Sequence, residues 1–336
     1  MKKFIGIDIS KATFSVALPQ ADGGYQVEVF SNDEEGISNL LPLLDQQVHC
    51  VMEATGSYSM LLSYTLSEQG YTVSVINPRQ AAHFSQMLLQ VTKTDRMDAI
   101  LLAKYGQHMQ PAIFQPNSKI MLHLKQKRAL LKQLKKQKMA LICLREAHAH
   151  QPTQDGDTQR TMQSMLAAIE EHQHQVEQSL HQTTQQAYTE LMRLITSVKG
   201  IGKERGRPAI ATALIVTTAG FTRFTNAKQL AKFIGICPTH HQSGSSVKGK
   251  STIARRGDPH LRSLLYMATL SAIRHNRACR ELYERLKATG KASKVALIAV
   301  ANKLIRQIFA VVTSHTKYED GYISKHPKDE KTAQVA

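Results

Sequence analysis

Four carboxylates in the first hundred residues stand where acids are costly or conspicuous. Asp8 lies in "IGIDIS", inside an otherwise apolar run, where an unpartnered charge is expensive to bury. Glu53 ends another apolar run, "CVMEAT", just before a Gly-containing turn. The carboxyl ends of strands are where open α/β sheets place their sites. Asp95 and Asp98 are three positions apart in "QVTKTDRMDA" and share a face on a helix. Each has a plain reading alone: Asp8 as a turn cap, Glu53 as a single acid of a kind common at strand ends, and Asp95 and Asp98 with Lys93 and Arg96 as a solvated helix face. Together, four carboxylates from two strands and a helix can hold a hard divalent cation, Mg²⁺ or Mn²⁺, through oxygen. Two such ions about 3.5–4 Å apart stabilise both attack and departure at phosphorus. Lys93 and Arg96 beside the acids then read as contacts to a phosphate substrate.

The elements that must position these acids follow from periodicity. Residues 4–10, 13–19, 26–30, 48–55 and 71–78 are apolar or alternating and rich in β-branched residues, as strands require. Residues 33–44 and 58–70 are helical, the first containing Pro42 and the second closed by Gly70. Strands alternating with helices predict an α/β sheet with crossover connections. From about residue 117 the pattern becomes helical. Residues 119–147 form a long basic stretch in which Leu124, Leu131, Leu134, Leu141 and Leu144 recur at helix-seam spacing. A polar break at 148–159 and a second helical stretch at 161–195 complete a hairpin, either an ordinary bundle element or an arm for dimerisation or nucleic-acid contact. Beyond it come a Gly-rich turn between apolar helices (195–215), a Gly/Ser/Lys-rich loop leading into a helix (229–275) and a closing apolar helix (294–312). The polar tail at 317–336 is expected to be disordered.

Composition narrows the function class. Lys and Arg number 43 against 26 acids, a net charge of +17 over 336 residues, which favours a polyanionic partner. The four cysteines have no metal-ligand or disulfide spacing, and a reducing cytoplasmic setting fits. No signal peptide is evident, and no apolar run approaches the roughly 18–20 residues that span a bilayer. Tryptophan is absent and aromatics are few, so stacking of bases on an aromatic platform is not the expected binding mode.

"GIDISKATF", "EATGSY" and "KTDRMDA" resemble the three acidic motifs of the DEDD insertion-sequence transposases, the insertion sequence 110 family, which includes the pilin-gene inverting recombinase. The resemblance implies a RuvC-like, ribonuclease-H-type α/β domain at 1–115 with Asp8, Glu53, Asp95 and Asp98 as its catalytic metal ligands. It also implies a helical coiled-coil hairpin at 116–193, a mostly α-helical transposase domain at 194–315, and a tail at 316–336. Residues 227–268 resemble the family's second block, in which a serine attaches covalently to DNA. The matching residue is Ser243, with Ser245 and Ser246 close by; a serine in such a loop otherwise reads as a linker residue. "SVKGIGKERGRPAI" resembles a helix-hairpin-helix with "KERGR" inserted, adding Lys203, Arg205 and Arg207 as phosphate contacts. Lys250, Arg255, Arg256 and Arg262 make the densest basic cluster near Ser243 and read as backbone-phosphate contacts.

The implied activity is DNA transposition or recombination, cutting and rejoining target and donor DNA through a serine–DNA intermediate. The implied partners are DNA, a structured bridge RNA and further copies of the chain in a dimer or tetramer, in a prokaryotic cytoplasm at the nucleoid. A metal-dependent nuclease of the junction-resolving type and a DNA invertase are the competing readings.

Overall fold

The computed structural model describes residues 3–89, 94–202, 209–239, 242–243, 247–248, 252–253 and 257–321. The chain divides into two compact units, Met1–Pro116 and Asn117–Ala336, each described by itself.

The first unit is a five-stranded sheet with helices on both faces. Its strands are β1 (Lys3–Ile9), β2 (Thr13–Pro19), β3 (Tyr25–Ser31), β4 (Val48–Glu53) and β5 (Thr72–Ile76), in the order β3-β2-β1-β4-β5. β1, β2 and β3 form an antiparallel meander, and β4 and β5 run parallel to β1. Parallel neighbours need crossovers, which α1 (Glu34–Leu40) and α2 (Met60–Glu68) supply. The helix expected over 33–44 stops at Leu40 and passes into a 3-10 turn, Leu41–Leu43, where Pro42 lacks the N–H to continue it. Two further helices follow, α3 (Pro78–Met87) and α4 (Asp95–Met109).

Strand alternation sorts the side chains between two cores. Ile5, Ile7 and Ile9 of β1 and Val48, Cys50 and Met52 of β4 pack with Ile37, Leu40, Leu62 and Leu66 from α1 and α2. Phe4 and Val51 point the other way and pack with Phe84, Leu101, Leu102 and Tyr105 from α3 and α4. Burial on both faces explains why β1 and β4 read as nearly continuous apolar runs.

The second unit is helical: α5 (Lys119–Ala149), α6 (Gly156–Ala187), α7 (Thr189–Ser197), α8 (Ala209–Thr218), α9 (Ala227–Ile234), α10 (Pro259–His275), α11 (Arg277–Ala288) and α12 (Ser293–Ser314). α5 and α6 form the expected hairpin, held by Lys135–Glu177 at 2.9 Å, Lys138–Glu170 at 2.8 Å and Lys127 Nζ donating to Ser179 and Thr183. Its leucine seam is tight only at the base. Leu124 and Leu131 are buried, Leu134 and Leu141 are half-buried, and Leu144 is exposed. The helix expected over 161–195 is broken at Tyr188, which separates α6 from α7.

α12 corrects one reading of the sequence. It is long and apolar enough to cross a membrane, but half of that stretch is buried within the unit, with Val300, Leu304, Ile305 and Ile308 in its core. The start of the polar tail is also ordered. The Tyr318 N–H donates to Ser197 Oγ at 2.9 Å, and Asp320 pairs with Lys199 at 3.1 Å. Residues 322–336 lie outside the described residues.

Candidate active site

Alternation along the strands brings the first two acids to one face. Asp8 is two residues beyond Gly6 and four beyond Phe4, and so faces α4. Glu53 is two residues beyond Val51 and faces the same way. β1 and β4 are adjacent and parallel with Ile7 opposite Met52, so Asp8 and Glu53 follow side by side at the carboxyl end of the sheet.

The helix that covers this face carries the other two acids. Thr94 caps α4, its hydroxyl accepting from the Met97 N–H at 3.3 Å, which sets Asp95 and Asp98 in the first turn. The positive end of the helix favours carboxylates there. α4 reaches the sheet because small residues line its contact. Ala99 and Ala103 pack with Ala17, and a Cβ on Gly6 would stand 1.9 Å from the Ala99 carbonyl oxygen. Gly106 meets the Phe4 ring and Val51 in the same manner. A glycine inside a strand often marks such a backbone approach, and "IGIDIS" carries that signal.

Charge ties the four acids together. Burial, then Asp98, Asp95 and Glu53 in that order, push the Asp8 carboxyl from 3.8 up to about 6. Asp8, Glu53 and Asp98 are half-buried, while Asp95 and Arg96 are exposed. The loops behind the acids are tied by Asn32, whose Nδ2 donates to the carbonyls of Ser10 at 2.9 Å and Tyr58 at 3.2 Å. Thr55 Oγ1, two residues beyond Glu53, is buried with no hydrogen-bond partner among the described residues. Carboxylate and hydroxyl oxygens are the ligand type that a hard divalent cation takes. The acids are within reach of one another's charge but not closed on a point: among the described residues no three His, Cys, Asp or Glu side chains form a ready metal-binding group.

In the second unit, Ser243 and Gln242 form the two-residue strand β7 (Gln242–Ser243), with Ser243 opposite Val247 of β8 (Val247–Lys248). The Gly/Ser/Lys-rich segment thus contains one short antiparallel pair, and a second pairs β6 (Pro238–Thr239) with β9 (Thr252–Ile253), which lie outside the first in sequence. Its two ends are pinned. Gly257, at φ +116°, packs so closely on the Ile234 carbonyl that a Cβ would come within 2.5 Å of its oxygen, and Arg262 Nη1 donates to that oxygen at 3.1 Å. Asp258 caps α10 through the His260 and Leu261 N–H groups and is ion-paired with Arg128 of α5. Sequence reasoning missed this clamp, although Asp-Pro before an apolar run signals a helix start. Lys93, Lys203, Arg205, Arg207, Ser245, Ser246, Lys250, Arg255 and Arg256 lie outside the described residues.

Comparison with known proteins decides the family. Residues 5–151, which span all four acids, match the profile of DEDD transposases of the IS110 type. Residues 192–284, which span Ser243, match the transposase family IS116/IS110/IS902. The pilin gene-inverting proteins of Moraxella lacunata and Moraxella bovis are each 31% identical over 95% of this chain and 98% of their own length. The chain belongs to the IS110 family of transposases. An IS110 insertion-element protein of Streptomyces coelicolor is also similar, 31% identical over 38% of this chain and 30% of that protein. Membership in the IS110 family implies an enzyme that cuts DNA.

Proposed function

We propose that this IS110-family protein is a DNA recombinase that cuts and rejoins strands through a covalent bond between Ser243 and DNA. The observation that carries the reading is the convergence on one sheet face of Asp8, Glu53 and the first turn of α4 with Asp95 and Asp98. The strand order β3-β2-β1-β4-β5 supports assigning the sheet as RuvC-like, of the ribonuclease H type. Asp8, Glu53, Asp95 and Asp98 would hold Mg²⁺ or Mn²⁺, which when bound polarises the scissile phosphate and favours the serine alkoxide.

In the reaction the Ser243 hydroxyl oxygen attacks a backbone phosphorus. The bond from phosphorus to one deoxyribose oxygen breaks, that oxygen takes up a proton, and the serine proton passes to solvent. Serine then carries the strand as a phosphodiester, which keeps the bond energy. Attack on it by the sugar hydroxyl of another strand frees Ser243 and joins the new ends. Lys93, Arg96, Lys203, Arg205, Arg207, Lys250, Arg255, Arg256 and Arg262 are proposed as nucleic-acid contacts that position the backbone without reading sequence.

The excess of cations and the scarcity of aromatics support a division of labour in which a bridge RNA pairs with target and donor DNA and the protein binds shape and charge. The hairpin of α5 and α6 exposes Leu130, Met139, Leu144 and Met165, which supports a coiled-coil-like role in joining copies of the chain. We assign 1–115 to the catalytic domain, 116–193 to the hairpin, 194–315 to the transposase domain and 316–336 to a tail. The Moraxella relatives over nearly the whole chain favour inversion beside transposition as the natural reaction.

The deciding experiment incubates the protein with Mg²⁺, DNA and co-purified RNA, digests it with protease and seeks a DNA-linked peptide by mass spectrometry. A metal-dependent adduct on Ser243, absent from Ser243→Ala, is expected. Cleaved DNA with free ends and no adduct instead supports a metal-dependent nuclease of the junction-resolving type. That second reading is favoured by one observation: all four acids belong to the first unit.

A further inference from the structure

The helical unit holds a cavity of about 1000 Å³ that the serine and the acids do not explain, lined by α11, α12 and the β6–β9 ladder. Its floor is aliphatic. Leu282 and Ile298 line it, and Val295 and Ile253 stand 57% and 40% exposed within it. Its rim is cationic, with Arg285 from α11 and Lys294, Lys303 and Arg306 from α12. The single carboxylate on the rim, Glu281, already accepts from Arg277 Nε at 2.8 Å. Among the described residues none of the four rim cations is ion-paired.

An apolar floor inside an uncompensated ring of cations calls for a ligand with an apolar face and several negative charges at its edges. Duplex nucleic acid meets only half of that requirement. Its phosphates suit the rim, but its bases are stacked inside and leave the floor uncovered. A strand with unpaired bases offers both parts at once. We propose that this groove holds an unpaired stretch of nucleic acid, with phosphates on Arg285, Lys294, Lys303 and Arg306 and a splayed base or sugar on Val295, Ile298 and Ile253. This rests on the reading of the protein as an enzyme of nucleic-acid strands. The volume is at the upper end of small-ligand pockets and accommodates a nucleotide unit rather than a side chain. No lining residue is aromatic, so affinity is dominated by phosphate contacts and is steeply salt-dependent rather than driven by stacking. Pro238 and Ile253 line the cavity, and the chain between them carries Ser243. A strand seated in the groove therefore lies against the base of the segment that bears the proposed nucleophile.

The test uses the full chain with short fluorescent single-stranded DNA and RNA and a matching duplex, measuring anisotropy over a series of salt concentrations. Lys303→Ala with Arg306→Ala should lower single-strand affinity about tenfold and flatten the slope of log K against log salt by about 1.4, roughly 0.7 for each lost contact on a single strand. Duplex affinity should change less than twofold. Val295→Asp, at an exposed position that folding tolerates, should weaken single strands in the same selective way. Photo-crosslinking of a 4-thiothymidine single strand to wild-type protein should label peptides within 278–306. Equal losses on duplex and single strand overturn the unpaired-strand assignment. Normal affinity in the variants, or crosslinks confined to other peptides, overturn the groove while leaving the recombinase reading intact. A wild-type protein that binds no nucleic acid overturns both.

Discussion

A Cβ placed on Gly6 would stand 1.9 Å from the Ala99 carbonyl oxygen and 2.3 Å from the Ala103 nitrogen, so β1 and α4 meet backbone to backbone. Gly6 is two residues before Asp8, and Ala99 directly follows Asp98. The approach therefore sets the separation between strand acid and helix acids. Gly6→Ala is expected to push α4 off the sheet, costing about 1–3 kcal/mol of stability by overpacking. Cleavage should fall about a hundredfold, as a displacement of the order of 1 Å at a reacting centre does. DNA affinity should be little changed. Thermal melts, a cleavage assay and a binding titration check the three parts. Full cleavage by a folded Gly6→Ala protein would show that the helix acids do not depend on this contact.

The raised Asp8 carboxyl predicts a trade between stability and activity. Burial and three neighbouring carboxylates hold it at about 6, above its ordinary 3.8, so the folded chain binds a proton the unfolded chain has released. The resulting stabilisation is complete below about pH 3.8 and is lost as pH rises through about 6. In EDTA the wild-type melting temperature should therefore carry a component that falls over this window. Asp8→Asn should remove that component and melt higher than wild type at pH 7, by about 2–4 °C for each kcal/mol of repulsion relieved. It should also abolish strand cleavage. Added Mg²⁺ should raise the melting temperature of wild type and not that of Asp8→Asn. Identical pH profiles for the two proteins would remove Asp8 from the cluster.

The acids were legible because their types violate their surroundings: a charge in an apolar strand, another at a strand end, a pair at one helical spacing. The α/β alternation and the long hairpin were legible from periodicity. The clamp on the serine segment was not, because Arg128 and Asp258 are distant in sequence and neither violates its local pattern. Gly6 was legible only in part, since a glycine inside a strand marks a close backbone approach without saying which element makes it. α12 has the composition of a spanning helix, and only its packing against the rest of the unit identifies it as core.

The Arg128–Asp258 pair should matter more than a surface ion pair. Their side chains are 27% and 18% exposed, and Asp258 also caps α10. Burial pulls the Asp258 carboxyl up, but hydrogen bonds from Arg128 and the Leu261 N–H outweigh it and hold the group below its ordinary range. Its contribution is therefore full above about pH 3.8 and is lost as pH falls through the lower folded value. Asp258→Ala should cost about 1–3 kcal/mol, from the lost cap and the charge left on Arg128. Asp258→Asn keeps the cap acceptor and should cost less. If the clamp positions Ser243, both variants should lose adduct formation more than DNA binding. Denaturant melts with quantified adduct separate the effects, and an unchanged adduct yield would leave the pair with a purely structural role.

Arg96 lies between Asp95 and Asp98 in the first turn of α4 and is exposed. If it contacts phosphate, Arg96→Ala should weaken duplex binding severalfold, alike for all sequences, and reduce the slope of log K against log salt by about 0.9. If it only offsets the charge of its neighbours, the slope should stay at the wild-type value, and the loss should appear in the melting temperature at low salt, where exposed charge pairs are least screened. A salt titration of duplex affinity beside a melt at low ionic strength separates the two. The phosphate role predicts one further result: a conservative Arg96→Lys should restore most of the slope, because a point charge serves a backbone phosphate even where a bidentate fork is lost.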